Sequence, residues 1–182
     1  MRMNRSVFFL VAPSLLIASL GNINSANAAQ EGSGRVNMEG AIIDAACAID
    51  VGSRDQSIDM GVHPVSQVSR DGRLPPQPFS IKLVDCRLER GEPNKPAWQK
   101  FQVTFSGNAT GERFNMQGDA RGINMRILDS QGSVMMPGIA SLPADIIPGS
   151  MTLNYTLDMV GNGEVMRSGA YRSTIRFKMD YY

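Results

Sequence analysis

Histidine and cysteine, the side chains that most often bind metal or drive nucleophilic chemistry, number one and two in this 182-residue sequence, and their spacing is poor for either task. His63, the single histidine, sits in Gly61-Val62-His63-Pro64 with no cysteine or second histidine nearby. A metal centre needs three or four converging ligands, and a nucleophilic triad needs a base oriented beside its nucleophile. His63 therefore reads as a surface loop residue. Asp44, Asp50, Asp55 and Asp59 are scattered carboxylates without the defined pairing that acid–base hydrolysis requires, and they read as solvated edges. Gly32-Ser33-Gly34 opens a dinucleotide-type pattern, but Asn37 stands where the third glycine belongs. Asn108-Ala109-Thr110 and Asn154-Tyr155-Thr156 match the glycosylation acceptor pattern, a three-residue match that chance supplies readily. Trp98 is a lone aromatic in a proline-rich loop, as suited to shielding a core as to binding a ligand. No catalytic constellation, metal site or cofactor is expected, and the chain does not read as an enzyme.

The remaining reactive pair is Cys47 and Cys86, and its chemistry depends on compartment. Arg2 and Arg5 form a positive start, Val7 to Leu20 is an apolar run, and Ala26-Asn27-Ala28 supplies small residues for cleavage. This predicts a secretory signal peptide over residues 1–28. The run is shorter than the roughly 20 residues of a spanning helix, which weighs against the rival reading as an anchor. In an oxidising compartment two cysteines most simply form one disulfide, with two buried free thiols as the alternative. Closing a loop of about 40 residues would stabilise the fold by roughly 4 kcal/mol.

Cleavage after Ala28 would leave 182 − 28 = 154 residues, enough for one domain. It would also leave 18 − 2 = 16 basic residues against 17 acidic ones, a formal charge of −1. Such a balance, without a Lys/Arg run, gives no electrostatic footprint for nucleic acid or an anionic membrane. Neither partner class is expected, nor is direct membrane insertion.

The elements that would carry any function are short alternating strands. Phe79, Ile81 and Leu83 alternate before Cys86; Phe101, Val103 and Phe105 follow, then Ile123, Met125 and Ile127. Met151, Leu153, Tyr155, Leu157 and Met159 repeat the pattern. Hairpin signals are read at Ser106-Gly107-Asn108, Asp129-Ser130-Gln131-Gly132 and Gly161-Asn162-Gly163. No segment shows a sustained helical period, although Ile139 to Ile146 has room for a short turn. An all-β sandwich is expected.

The last fourteen residues read as one strand running to the end of the sequence. Tyr171, Ser173, Ile175, Phe177, Met179 and Tyr181 fall on one face; Arg172, Thr174, Arg176, Lys178 and Asp180 fall on the other. Its edge must find a partner within the fold or on another molecule.

These residues carry a resemblance. Gly34-Arg35-Val36-Asn37-Met38-Glu39-Gly40-Ala41-Ile42-Ile43-Asp44-Ala45-Ala46-Cys47 resembles the mature start of chaperone-usher pilins of Gram-negative bacteria. The similarity continues through Asp59-Met60-Gly61 and Phe79-Ser80-Ile81-Lys82-Leu83 to Cys86. It ends at Gly169, fourteenth from the end, and Tyr181, the penultimate residue.

The resemblance implies an incomplete immunoglobulin-like β-sandwich lacking its final strand, with residues 29–39 as an N-terminal donor-strand extension and 40–182 as the pilin domain. It implies a periplasmic pilus chaperone that lends a strand, an outer-membrane usher, and neighbouring pilin subunits whose extensions replace the chaperone strand. The donor face is then Gly32, Gly34, Val36 and Met38, with Gly34 or else Gly32 as the glycine that passes a tight groove wall. A flexible Gly/Ser tail is the competing reading of Glu31-Gly32-Ser33-Gly34. The chaperone and groove edge comprises Gly169, Tyr171, Ile175, Phe177, Met179, Tyr181 and Tyr182. The same inward residues would also serve an ordinary core strand, and the terminal carboxylate of Tyr182 is either gripped by a chaperone or solvated.

Gly111-Glu112-Arg113-Phe114-Asn115, Gly122-Ile123-Asn124, Tyr155-Thr156-Leu157 and Asn162-Gly163 resemble the terminator or anchor subunit of P-type pili. The N-terminal segment resembles a rod pilin instead. The expectation is a cell-surface fimbrial subunit exported through the periplasm and serving adhesion, in a minor role as terminator, anchor or adaptor. The alternatives are a major rod pilin or a secreted sandwich-fold binding module. An adhesive tip would need a second domain for which 154 residues leave no room.

Overall fold

Alternation of apolar and polar residues forces a strand to bury one face, and two sheets doing so together make a sandwich. The computed structural model describes residues 35–40, 43–92 and 94–182. In chain order these contain β1 (Ala48–Ile49), α1 (Val51–Arg54), α2 (Val65–Asp71), β2 (Gln77–Cys86), β3 (Lys100–Gly107), β4 (Ala109–Thr110) and β5 (Arg113–Asn115). There follow β6 (Gln117–Gly118), β7 (Ile123–Asp129), β8 (Ala144–Asp145), β9 (Gly149–Gly161), β10 (Tyr171–Arg172) and β11 (Ile175–Tyr181). The first sheet runs β1-β2-β9-β7-β5-β4, the second β11-β3-β8, and β10 pairs with β6 in a small third ladder. Every pairing is antiparallel.

Phe101, Val103 and Phe105 of β3 face Ile81 and Leu83 of β2, Met125 and Ile127 of β7, and Tyr155 and Leu157 of β9 in one buried cluster. A second cluster of Val68, Leu74, Ala120, Ile123 and Met159 extends it under α2. Cys47, just before β1, is bonded to Cys86 at the end of β2, so the disulfide fastens the edge strand to its neighbour.

Several sequence expectations are corrected here. Ser106-Gly107-Asn108 is no hairpin, because β3 and β4 lie in different sheets and the segment is a crossing between them. Gly161-Asn162-Gly163 does not join two paired strands either; after it the chain pairs Arg167 with Arg121. Asp129 does close a tight turn, its carboxylate accepting from the N–H groups of Gln131 and Ser133, with Gly132 at φ +81°. The stretch read as room for a short turn, Ile139 to Ile146, opens on one, with Ile139 N donating to Met136 O, and then runs alongside β3. Gly138 donates to Phe105 O, Ser141 to Val103 O and Ile146 to Gln99 O, while Pro137, Pro143 and Pro148 punctuate the segment. Two short helices went unread. Asp50 caps α1 by accepting from Gly52 N, and α2 is bracketed by Pro64 and by Gly72 at φ +71°.

Candidate functional site

The single terminal strand expected from Gly169 to Tyr182 is two. Tyr171-Arg172 pairs with Gln117-Gly118, and the chain then shifts at Ser173-Thr174 to run as β11 beside β3. Ser173 Oγ donates to Asn115 O at this shift. Gly169 makes the arrangement possible: a Cβ there would lie 2.6 Å from Asp119 Cβ and 2.7 Å from Ala120 N. With no side chain in the way, Ala170 O accepts from both Asp119 N and Ala120 N. Tyr171 therefore packs against the second cluster, under α2, while Ile175, Phe177, Met179 and Tyr181 pack against the first.

Those four residues form the distinctive surface of the molecule. In register, Phe177 stands opposite Phe105, Met179 opposite Val103 and Tyr181 opposite Phe101. The β3 members of these pairs are 1–3% exposed, yet their β11 partners are only half-buried. The difference has a simple cause. β3 is flanked by β11 on one side and by the 138–146 segment on the other, whereas β11 has β3 on one side and, among the described residues, no strand on its other. An apolar strand with one bare edge is a template for another strand.

The bare edge meets the edge of the other sheet. Tyr181 Oη lies 3.5 Å from the carbonyl of Cys47, which opens the β1 edge. Ile49, Ile58, Met60 and Phe79 are also half-buried and pack against the same core. Phe79 stacks on Tyr155 at 5.4 Å; Tyr155 meets Phe105 edge-on at 5.0 Å, and Phe105 meets Phe177 at 6.4 Å. Burial, with a smaller contribution from the Asp129 carboxylate, pushes the Tyr155 hydroxyl up to about 12. Burial also raises Tyr181. At the far end Trp98, 7% exposed, meets Tyr181 edge-on at 6.1 Å and carries the Arg90 guanidinium 3.4 Å from its ring centre. Trp98 is thus a core residue, the shielding role of the two its setting offered.

One terminal oxygen of Tyr182 accepts from Gln99 N at 3.0 Å and Lys100 N at 2.9 Å. Of the donor-face residues, Gly32 and Gly34 lie outside the described residues, as does the segment read as a signal peptide. Val36 and Met38 belong to a stretch without regular secondary structure, 35–40, and are 86% and 91% exposed. His63 bonds Met60 O through Nε2 and Gln67 through Nδ1, a local tie at the start of α2. No cluster of three or more potential metal ligands occurs among the described residues. What the arrangement offers is a row of half-buried apolar side chains on a strand that, among the described residues, is paired on one side only.

Comparison with known proteins gives this edge a context. A scan against protein-family models returns no match. The PRS fimbrial minor pilin protein of Escherichia coli is 31% identical over 150 residues, covering 81% of this chain and 77% of the relative. The chain belongs to the fimbrial pilins of chaperone-usher pili. The PRS fimbrial major pilin protein of Escherichia coli is 30% identical over 162 residues, covering 86% of this chain and 99% of that pilin. Among solved structures, the P pilus rod subunit PapA superposes with a TM-score of 0.65 at 24% identity, over 76% of this chain and all of PapA. A chaperone-usher pilus structure gives 0.67 at 24% identity, over 86% of this chain. The shared fold is the immunoglobulin-like pilin sandwich, and pilins are structural subunits, not enzymes.

Proposed function

We propose that this pilin becomes whole by receiving one extended strand along the bare edge of β11, first from a periplasmic chaperone and then from the extension of a neighbouring subunit at an outer-membrane usher. The observation that carries the reading is the burial contrast across the β3–β11 register, where fully buried Phe101, Val103 and Phe105 face half-buried Tyr181, Met179 and Phe177. A strand laid on that edge would satisfy the backbone and complete the burial of Ile175, Phe177, Met179 and Tyr181. Complete burial of a large apolar side chain is worth about 1.5–3 kcal/mol, so half of that at each of four positions supports tight binding.

In the same reading, residues 1–28 are the export signal, residues 29–39 are this subunit's own donor extension with Gly32, Gly34, Val36 and Met38 on one face, and 40–182 is the pilin domain. The subunit occupies a minor position in a surface fimbrium, in keeping with its similarity to minor pilins. A rod position is the second reading, favoured by the near-complete coverage of the major pilin relative.

The test is to purify the subunit from periplasm with its chaperone and challenge the complex with peptides copying pilin N-terminal extensions. Peptide exchange places the subunit in a rod or adaptor position; refusal places it as a terminator. A stable, chaperone-free monomer that excludes every strand overturns the reading.

A further inference from the structure

β2 has a second half-bare edge, and the way it is sealed has a consequence for assembly. β1 covers only the Leu83–Val84 end of β2, leaving Lys82, Ser80 and Pro78 beyond it. Backbone groups on a strand alternate in direction, and those of Ser80 and Lys82 point away from β9. Asp50 N donates to Lys82 O at 2.9 Å and would, in a regular ladder, also accept from Lys82 N. It does not, because α1 begins there and Ser53 N takes the Asp50 carbonyl at 2.9 Å. The hydroxyl of Ser53, 7% exposed, accepts from Lys82 N at 3.0 Å instead. One step along, Gln56 Nε2 donates to Ser80 O at 3.0 Å. Two residues further on the same side stands Pro78, which has no N–H to offer.

We infer that Ser53, Gln56 and Pro78 form an edge plug that denies β2 to incoming strands, so that of these two edges only β11 is left to take one. The inference builds on the proposed role of β11 as acceptor. Side chains are suited to this work because Ser53 Oγ and Gln56 Nε2 occupy Lys82 N and Ser80 O without presenting a backbone edge of their own. A continuous β1 would instead pass the bare edge outward to itself.

The test uses the full subunit bound to its chaperone, so that the β11 edge is already filled. The probe is a synthetic peptide copying residues 29–40 of this chain, with stoichiometry read by native mass spectrometry and backbone protection by hydrogen exchange. Wild type is expected to take no peptide beyond its chaperone strand. Ser53→Ala/Gln56→Ala is expected to take one further peptide or to dimerise, with the Lys82 amide exchanging about tenfold faster. Gln56→Ala alone, at an exposed position, gives a weaker version of the same effect in a fully folded subunit, and Ser53→Thr, which keeps the hydroxyl, behaves as wild type. Unchanged stoichiometry and unchanged Lys82 exchange in the double variant overturn the plug. Failure of wild type to hold a chaperone at all would instead strike the acceptor reading, and Lys82 exchange with self-association would still decide the plug.

Discussion

Phe177 offers the sharpest measurement of the open groove. Truncating a buried phenylalanine to alanine costs about 3–5 kcal/mol in a closed core. Phe177 is half-buried in the unfilled subunit and packs against Phe105 on one side only, so Phe177→Ala should cost the unfilled fold about half of that. The other half, about 2 kcal/mol, appears only when a strand covers the ring, and it weakens strand affinity roughly 30-fold. Phe105, its register partner, is 2% exposed before any strand arrives. Phe105→Ala should therefore cost the fold its full share while changing strand affinity only about threefold or less. Titration of each variant with the strand-bearing chaperone at low urea, beside urea unfolding of the subunit alone, separates the two effects. Equal loss of affinity in both variants, or none in Phe177→Ala, refutes the claim that β11 borders a vacancy.

Other outcomes follow from single contacts. The raised Tyr155 hydroxyl binds its proton more tightly in the folded chain than in the unfolded one, so its contribution is intact below pH 10 and is lost as pH rises toward 12. Melting temperature should fall across that window by an amount worth about 2 kcal/mol, and Tyr155→Phe should flatten the fall. Gly169→Ala forces Asp119 and Ala120 away from Ala170 and should lower stability by about 2–3 kcal/mol, with loss of protection at the Asp119 and Ala120 amides in hydrogen exchange. Replacing both Cys47 and Cys86 by serine opens a link across 39 residues and should cost roughly 4 kcal/mol in denaturant unfolding.

The long strands were legible because period-two patterning survives wherever one face is buried. Phe79 to Leu83, Phe101 to Phe105, Ile123 to Ile127 and Met151 to Met159 all lie within strands read from the alternation alone. The shift between β10 and β11 was invisible for the same reason. Tyr171 and Ile175 keep the parity of one strand while facing different clusters, and only the close approach of Gly169 to Asp119 separates them. The short helices left no periodic trace at four and seven residues, though Pro64 and Gly72 bracket α2 as a start and stop would. The edge plug was unreadable because it rests on tertiary hydrogen bonds between residues 24 and 29 positions apart. Trp98 looked unplaced because its partners Arg90 and Tyr181 come from either side of it in the chain, the latter from its far end.

The segment that shields β3 opposite β11 carries Pro137, Pro143 and Pro148. A proline cannot donate to a ladder, so each of the three removes one backbone donor from the segment. Under the proposed joining through β11, each such position is one bond fewer for a second strand laid against this segment, so growth by strand addition favours length over branching on this side of the sandwich.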